Sequence, residues 1–220
     1  MDSKSPLVEA MGILCPEVNA DLLSRERYSP HGETSFNGSG VLLDHHIYEL
    51  ILQYWNHKYS PQYIRSTDLT FELMNAGVNV LPSRGKKLTS FKHKTRTFGT
   101  FEKNDGNSSI SFRHPSTGRK DAGFIRSMWT QVLQGQQRIF VVVQPHGEVL
   151  PADAAKTPYL THTHFKCTVR YTHPPHPQPL LVIEPEHIIS HIAYHSRPTG
   201  TYGIVRAITI FADSLHRDRD

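Results

Sequence analysis

Gly123-Phe124-Ile125-Arg126-Ser127-Met128-Trp129 and, just downstream, Arg138-Ile139-Phe140-Val141-Val142-Val143 are the stretches from which the fold is read. Both are rich in β-branched and aromatic residues, and Gln134-Gly135-Gln136 between them is a turn signal. They predict a hairpin with strands over 124–133 and 138–144. The same pattern returns in His164-Phe165-Lys166-Cys167-Thr168-Val169-Arg170-Tyr171, in Pro179-Leu180-Leu181-Val182-Ile183-Glu184-Pro185, and in Val205-Arg206-Ala207-Ile208-Thr209-Ile210-Phe211. Short runs of this kind between Gly-, Pro- and His-rich breaks predict a mainly β chain with some helix (α+β). Its C-terminal half is expected to form a small antiparallel β-barrel or curled sheet.

Upstream of the hairpin the reading changes period. Leu43, Ile47, Leu50, Ile51, Tyr54 and Trp55 recur at spacings of three and four, which predicts an amphipathic helix within 41–58, capped by Asp44 and stopped by Pro61. An extended stretch is expected over Tyr63–Asn75, with a turn at Asn75-Ala76-Gly77. Short strands are expected at Val78–Leu81, Phe91–Phe101 and Ser109–Arg113, the last preceded by a hairpin-type turn at Asn104-Asp105-Gly106-Asn107. Pro145–Thr161 reads as a longer loop, and Thr172–Pro179 is too proline-rich for either regular structure. The expected organisation is a loosely structured segment at 1–40, a basic segment of helix and short strands at 41–121, a barrel-like module at 122–215, and a charged tail at 216–220.

Composition narrows the class. The chain has 220 residues, 37% hydrophobic and 20% charged, with 15 prolines and 14 glycines, which fits a folded, loop-rich protein. Its formal net charge of +4 is uneven. Residues 84–126 hold eleven Lys/Arg against three Asp/Glu, an excess of eight, so the remainder is acidic by four. A basic field of this kind suits nucleic acid or another acidic partner; the alternative is a solvated strand edge. Cys15 and Cys167 lie far apart in unlike contexts, so no disulfide framework is suggested. The first residues lack the apolar core of a signal peptide, and no run approaches the ~20 apolar residues of a membrane span. The expectation is a soluble, intracellular protein without a membrane partner.

Motifs for chemistry are missing. There is no Gly-x-Ser-x-Gly, no Gly-x-x-x-x-Gly-Lys-Ser/Thr, no Gly-x-Gly-x-x-Gly and no His-Glu-x-x-His. Fifteen histidines invite a metal reading. His162 and His164 with Cys167 would share a strand face, and His187, His191 and His195 would line one face of a helix or strand. His173 and His176 sit in the proline loop. Four ligands at zinc-finger spacing are absent, so no metal and no cofactor is expected; a histidine-based metal-dependent hydrolase is the alternative from the enzyme class. The physical lead is the basic stretch. Arg84, Lys86, Lys87, Lys92, Lys94 and Arg96 alternate with Phe91 and Phe98, and Arg113, Arg119 and Lys120 follow. Cations neutralise phosphates and aromatics stack on bases, although in an alternating strand the aromatics would face the core. These nine cations are the candidate nucleic-acid contacts.

The order of Asn107–Arg113, Gly123–Trp129, Phe140–Gln144, Asp153, Pro158-Tyr159, Val182–His191, and Arg197-Pro198-x-Gly200-Thr201-Tyr202-Gly203-Ile204 resembles the C-terminal, non-catalytic region of CACTA-type transposase-like proteins of basidiomycete fungi. The resemblance spans about residues 41–215. The barrel part is similar to bromo-adjacent-homology and related chromatin modules. The resemblance implies a stand-alone or truncated transposon-derived product whose acidic catalytic residues have no counterpart here. It also implies an accessory, nuclear role in contacting DNA, chromatin or other proteins. A methyl-lysine cage would draw on Trp129, Tyr159, Tyr171, Tyr194 and Tyr202. The alternative within the same frame is an interaction or structural remnant without affinity for nucleic acid.

Overall fold

The computed structural model describes residues 40–60, 62–161, 167–173 and 179–212. The expected loose segment at 1–40, except Gly40, and the expected charged tail at 216–220 lie outside these residues, as do His162, His164 and His176. In chain order the strands are β1 (Val41–Leu42), β2 (Tyr63–Ile64), β3 (Asn79–Val80), β4 (Arg84–Leu88), β5 (Ser90–His93), β6 (Arg96–Gly99), β7 (Ser109–Arg113), β8 (Lys120–Leu133), β9 (Gln136–Pro145), β10 (Gly147–Glu148), β11 (Cys167–Tyr171), β12 (Leu181–Ile183), β13 (Ile188–His191), β14 (Ala193–Arg197) and β15 (Ile208–Ala212). The helices are α1 (His45–Lys58), α2 (Phe71–Asn75), α3 (Asp105–Ser108), α4 (Pro151–Ala154) and α5 (Pro158–Thr161). The protein is mainly β.

The long β8–β9 hairpin organises a seven-stranded sheet. Gln134 (φ 54°) and Gly135 (φ 72°) supply the two left-handed positions that a tight hairpin turn needs. On its other edge β8 pairs with β7 through Lys120–Phe124 and with β4 through Met128–Thr130. Strands from both sides of residue 121 therefore share one sheet. β12 adds to the free edge of β9, and β13 to the free edge of β7. Only Glu184–His187 separates β12 from β13 in sequence, so the two outer strands must approach each other and the sheet curls. The barrel expectation is corrected here: β12 and β13 do not pair, and the curled sheet stays open. A second, four-stranded antiparallel sheet follows in the order β10-β11-β15-β14.

Curling gives the sheet an inner and an outer core. Ile110, Phe112, Ile125, Met128, Ile139, Val141, Val143, Ile183 and Ile188 fill the concave side with Phe91 and Phe98. The β5–β6 hairpin closes over that side. α1 lies on the convex side against Trp129, Leu133, Phe140, Val142 and Val182, with Ile51 and Trp55 fully buried. β9 is thus covered on both faces, which is why 139–143 reads as an unbroken apolar run. Asp44 caps α1 as expected, its Oδ1 accepting from the His46 amide at 2.9 Å.

Four local expectations change, one of them the loop expected over 145–161, which carries β10, α4 and α5. Residues 71–75 are helical rather than extended, because the Thr70 hydroxyl accepts from the Leu73 amide and caps a short turn. Residues 91–101 are a folded hairpin rather than one strand, reversing at Lys94 with φ 54°. Residues 105–108 form one helical turn capped by Asn104, not a β-turn.

Candidate nucleic-acid interface

All nine cations proposed from sequence sit on the first sheet or its hairpins, and all but Arg96 are well exposed. They fall into three places. Arg84, Lys86 and Lys87 are on β4; Lys92, Lys94 and Arg96 are on the β5–β6 hairpin; Arg113, Arg119 and Lys120 close the β7–β8 hairpin. Arg113 and Lys120 stand directly opposite each other, a like-charge pair that weakens a ladder rather than supporting it.

The middle of the β8 edge joins these groups and adds two cations absent from the sequence-based set. Between its contacts with β7 and β4, β8 receives the Phe101 amide on the Ile125 carbonyl at 2.8 Å. Arg126 lays its guanidinium over the Phe101 ring, 5.0 Å from the centroid. Lys103, two residues on, donates to the Thr89 hydroxyl at 3.3 Å, between β4 and β5. Lys87 lies over the Trp129 ring. A strip therefore runs from Lys87 through Lys103 to Arg126. Among the described residues, none of Lys87, Lys92, Lys94, Lys103, Arg113, Arg119 or Arg126 forms an ion pair. No short-range signal marks Lys103 and Arg126: they reach the strip through Thr89 and Phe101, which only the pairing of distant strands puts in place.

Aromatic rings are present in the strip but already engaged. Phe91 and Phe98 stack on each other at 5.4 Å and are buried. Phe101 packs against Phe124 at 4.8 Å beneath Arg126, and Trp129 is buried under α1. The five aromatics considered for a methyl-lysine cage disperse in the same way. Tyr159 and Tyr202 meet at the end of the second sheet, where Tyr202 donates to the Tyr159 hydroxyl, while Tyr171 donates to Asp153 and Tyr194 to Asp105.

The histidines do not converge. Among the described residues, no three His, Cys, Asp or Glu side chains gather as a metal ion requires. His187 packs edge-on against Tyr54 of α1, whereas His191 stacks on Phe98 at 4.2 Å on the concave side. A register shift between Ile188 and Ser190 breaks the alternation that would have kept the two on one face. His195 is exposed on β14 and His173 follows β11, both on the second sheet's side of the molecule.

A second polar cluster lies where α1 ends beside the β12–β13 connection. Glu184, 2% exposed, accepts at Oε2 from Tyr54 at 3.1 Å, from Lys58 at 2.8 Å and from Tyr59, and its Oε1 lies 3.5 Å from Arg138. Lys58 also bridges to Glu186. Burial alone would lower the Lys58 pKa, but the charge and hydrogen bond of Glu184 override it and hold the ammonium well above its ordinary value. Burial and the neighbouring Glu184 push the Tyr54 phenol up as well, and Tyr59 is raised to about 12. With each oxygen of the carboxylate engaged, the cluster fastens α1 to the sheet; it offers no group poised for proton transfer.

No protein-family model matches the chain, and no curated protein or solved structure matches it. Among the described residues, no helix is long and apolar enough to cross a membrane.

Proposed function

We propose that this protein is a non-enzymatic accessory module that contacts nucleic acid, acting in the nucleus on DNA or on DNA in chromatin. The observation that carries the reading is the set of exposed cations beside the β4–β8 pair, free of ion pairs at Lys87, Lys103 and Arg126. Unpaired Lys and Arg on one strip release counterions when they meet phosphates, and that release drives sequence-independent binding. The resemblance to the non-catalytic region of CACTA-type transposase-like proteins supports the same accessory role. The reading is tested by fluorescence anisotropy with a generic labelled duplex of roughly 20 base pairs over a salt titration. A slope of log Kobs against log[salt] of about −4 or steeper is expected, since several phosphates are neutralised together. No binding at low salt, or a slope shallower than about −1, overturns the proposal.

A further inference from the structure

We infer that the strip reads the backbone of double-helical DNA, gripping it at two points far apart along β8, and does not take up unpaired strands; the inference rests on the polyanion reading above. The first observation is the register. Lys120 pairs with Arg113 at one end of β8, while Thr130 pairs with Lys86 and Trp129 with Lys87 at the other. The strand between Lys120 and Thr130 spans about 30 Å, the axial length of about nine base pairs at 3.4 Å each.

The second observation is the bulge. The β8–β9 pairing shifts between Ile125 and Ser127, leaving Arg126 as the extra residue. Ile125 and Met128 both face the concave core, which requires one break in the two-residue alternation. Without that break, Lys120 and Lys87 would project from opposite faces of the sheet. With it, Lys120 and its partner Arg113 at one end and Lys87 at the other lie on the convex face, with Arg126 between them, while Lys86, opposite Thr130, faces the concave side. The third observation is the state of the rings. Binding of single strands depends on aromatic faces on which successive bases stack. Phe91, Phe98 and Trp129 are buried, and Phe101 is covered by Arg126 and Phe124. The strip offers charge without stacking platforms, which suits phosphates held on a duplex.

The test measures affinity at constant salt for duplex DNA of roughly 6, 12 and 20 base pairs, for single strands of the same lengths, and for duplex RNA. The expected result is a gain of at least about tenfold between roughly 6 and 12 base pairs, beyond the statistical gain in sites, and then little more. Single strands are expected to bind several-fold more weakly. Two variants, Lys86→Gln with Lys87→Gln, and Arg113→Gln with Arg119→Gln and Lys120→Gln, are each expected to remove the length step while keeping a thermal unfolding midpoint no lower than the wild type. Equal or tighter binding of single strands, a step that survives in either variant, or a preference for duplex RNA overturns this inference and leaves the broader reading standing. An absence of binding to every probe overturns both.

Discussion

Glu184 shows how much one buried side chain can organise. Its carboxylate collects Tyr54, Lys58, Tyr59 and Arg138, residues from α1, the segment after it, and β9. Lys58 and Arg138 also lie over the Tyr59 ring, at 5.0 and 5.1 Å from its centroid. The Tyr59 phenol has its pKa raised to about 12, first by burial and then by its hydrogen bond to Glu184. A raised folded-state pKa stabilises the fold fully below the ordinary value of 10.0, and that contribution is lost as pH climbs to about 12. Lys58 is raised too, so its contribution fades in the same alkaline direction. Urea unfolding across alkaline pH is expected to show stability falling from about pH 10 upward. Tyr59 is only partly buried, so its share is reduced by solvent to about 1 kcal/mol. In Tyr59→Phe the decline between pH 10 and 12 is expected to be shallower by that amount. A variant curve parallel to the wild type would mean that the phenol's hydrogen bond to Glu184 adds nothing to stability.

At the scale of elements, the β8–β9 pair depends on a close approach that only glycine permits. A Cβ on Gly123 would sit 2.5 Å from the Gln144 carbonyl oxygen and 2.8 Å from the Val143 side chain. Because the first neighbour is backbone, the strands themselves must part. Gly123→Ala is expected to cost about 1–3 kcal/mol, whereas Gly106→Ala in α3, whose nearest neighbour is a side-chain oxygen at 3.5 Å, should be close to neutral. Equal unfolding midpoints for the two variants would contradict the geometry. The same pair shows what is legible in a sequence. β9 is readable because both of its faces are covered and its apolar run has no gaps, and α1 because Ile51 and Trp55 fall on its buried stripe behind a capping aspartate. The bulge at Arg126 is not readable: the run from Phe124 to Trp129 continues through it, and only the partner strand's register reveals the change of face. The open rather than closed sheet is hidden for the same reason, since pairing of outer strands is a long-range outcome. Of the candidate site, the cations were recognisable by type. Lys103 and Arg126, and the meeting of Glu184 with α1, depend on contacts between residues far apart in sequence.

At the scale of the molecule, two sheets are joined by a small aromatic seam. The chain crosses at His146, between β9 and β10, and again at Ile192, between β13 and β14. There Phe124 of the first sheet meets His146 at 4.8 Å and Tyr194 at 4.9 Å, while His146 meets Phe211 of the second sheet at 4.6 Å. His146 is 6% exposed, and its Nε2 is buried without a hydrogen-bond partner among the described residues. Burial, followed by the nearby charges of Arg126 and Arg170, lowers its pKa to about 4. The neutral ring is thus the form that fits the seam. A depressed folded-state pKa gives a contribution that is complete above the ordinary value of 6.5 and is lost as pH falls toward about 4. His93, buried at the end of β5, is lowered to about 4 by burial and by Lys94 and acts over the same window. Stability is therefore expected to fall between pH 6.5 and 4 by roughly 2–3 kcal/mol for each histidine. His146→Phe keeps a ring between Phe124 and Phe211 but cannot take up a proton, so it should remove the His146 share and leave in place that of His93 and those of His187 and His191, whose pKa values burial also lowers. Unfolding free energies of the two proteins, measured at intervals across this window, are expected to diverge steadily as the solution is acidified. Curves that keep a constant separation would show that protonation at the seam does not destabilise the junction of the two sheets.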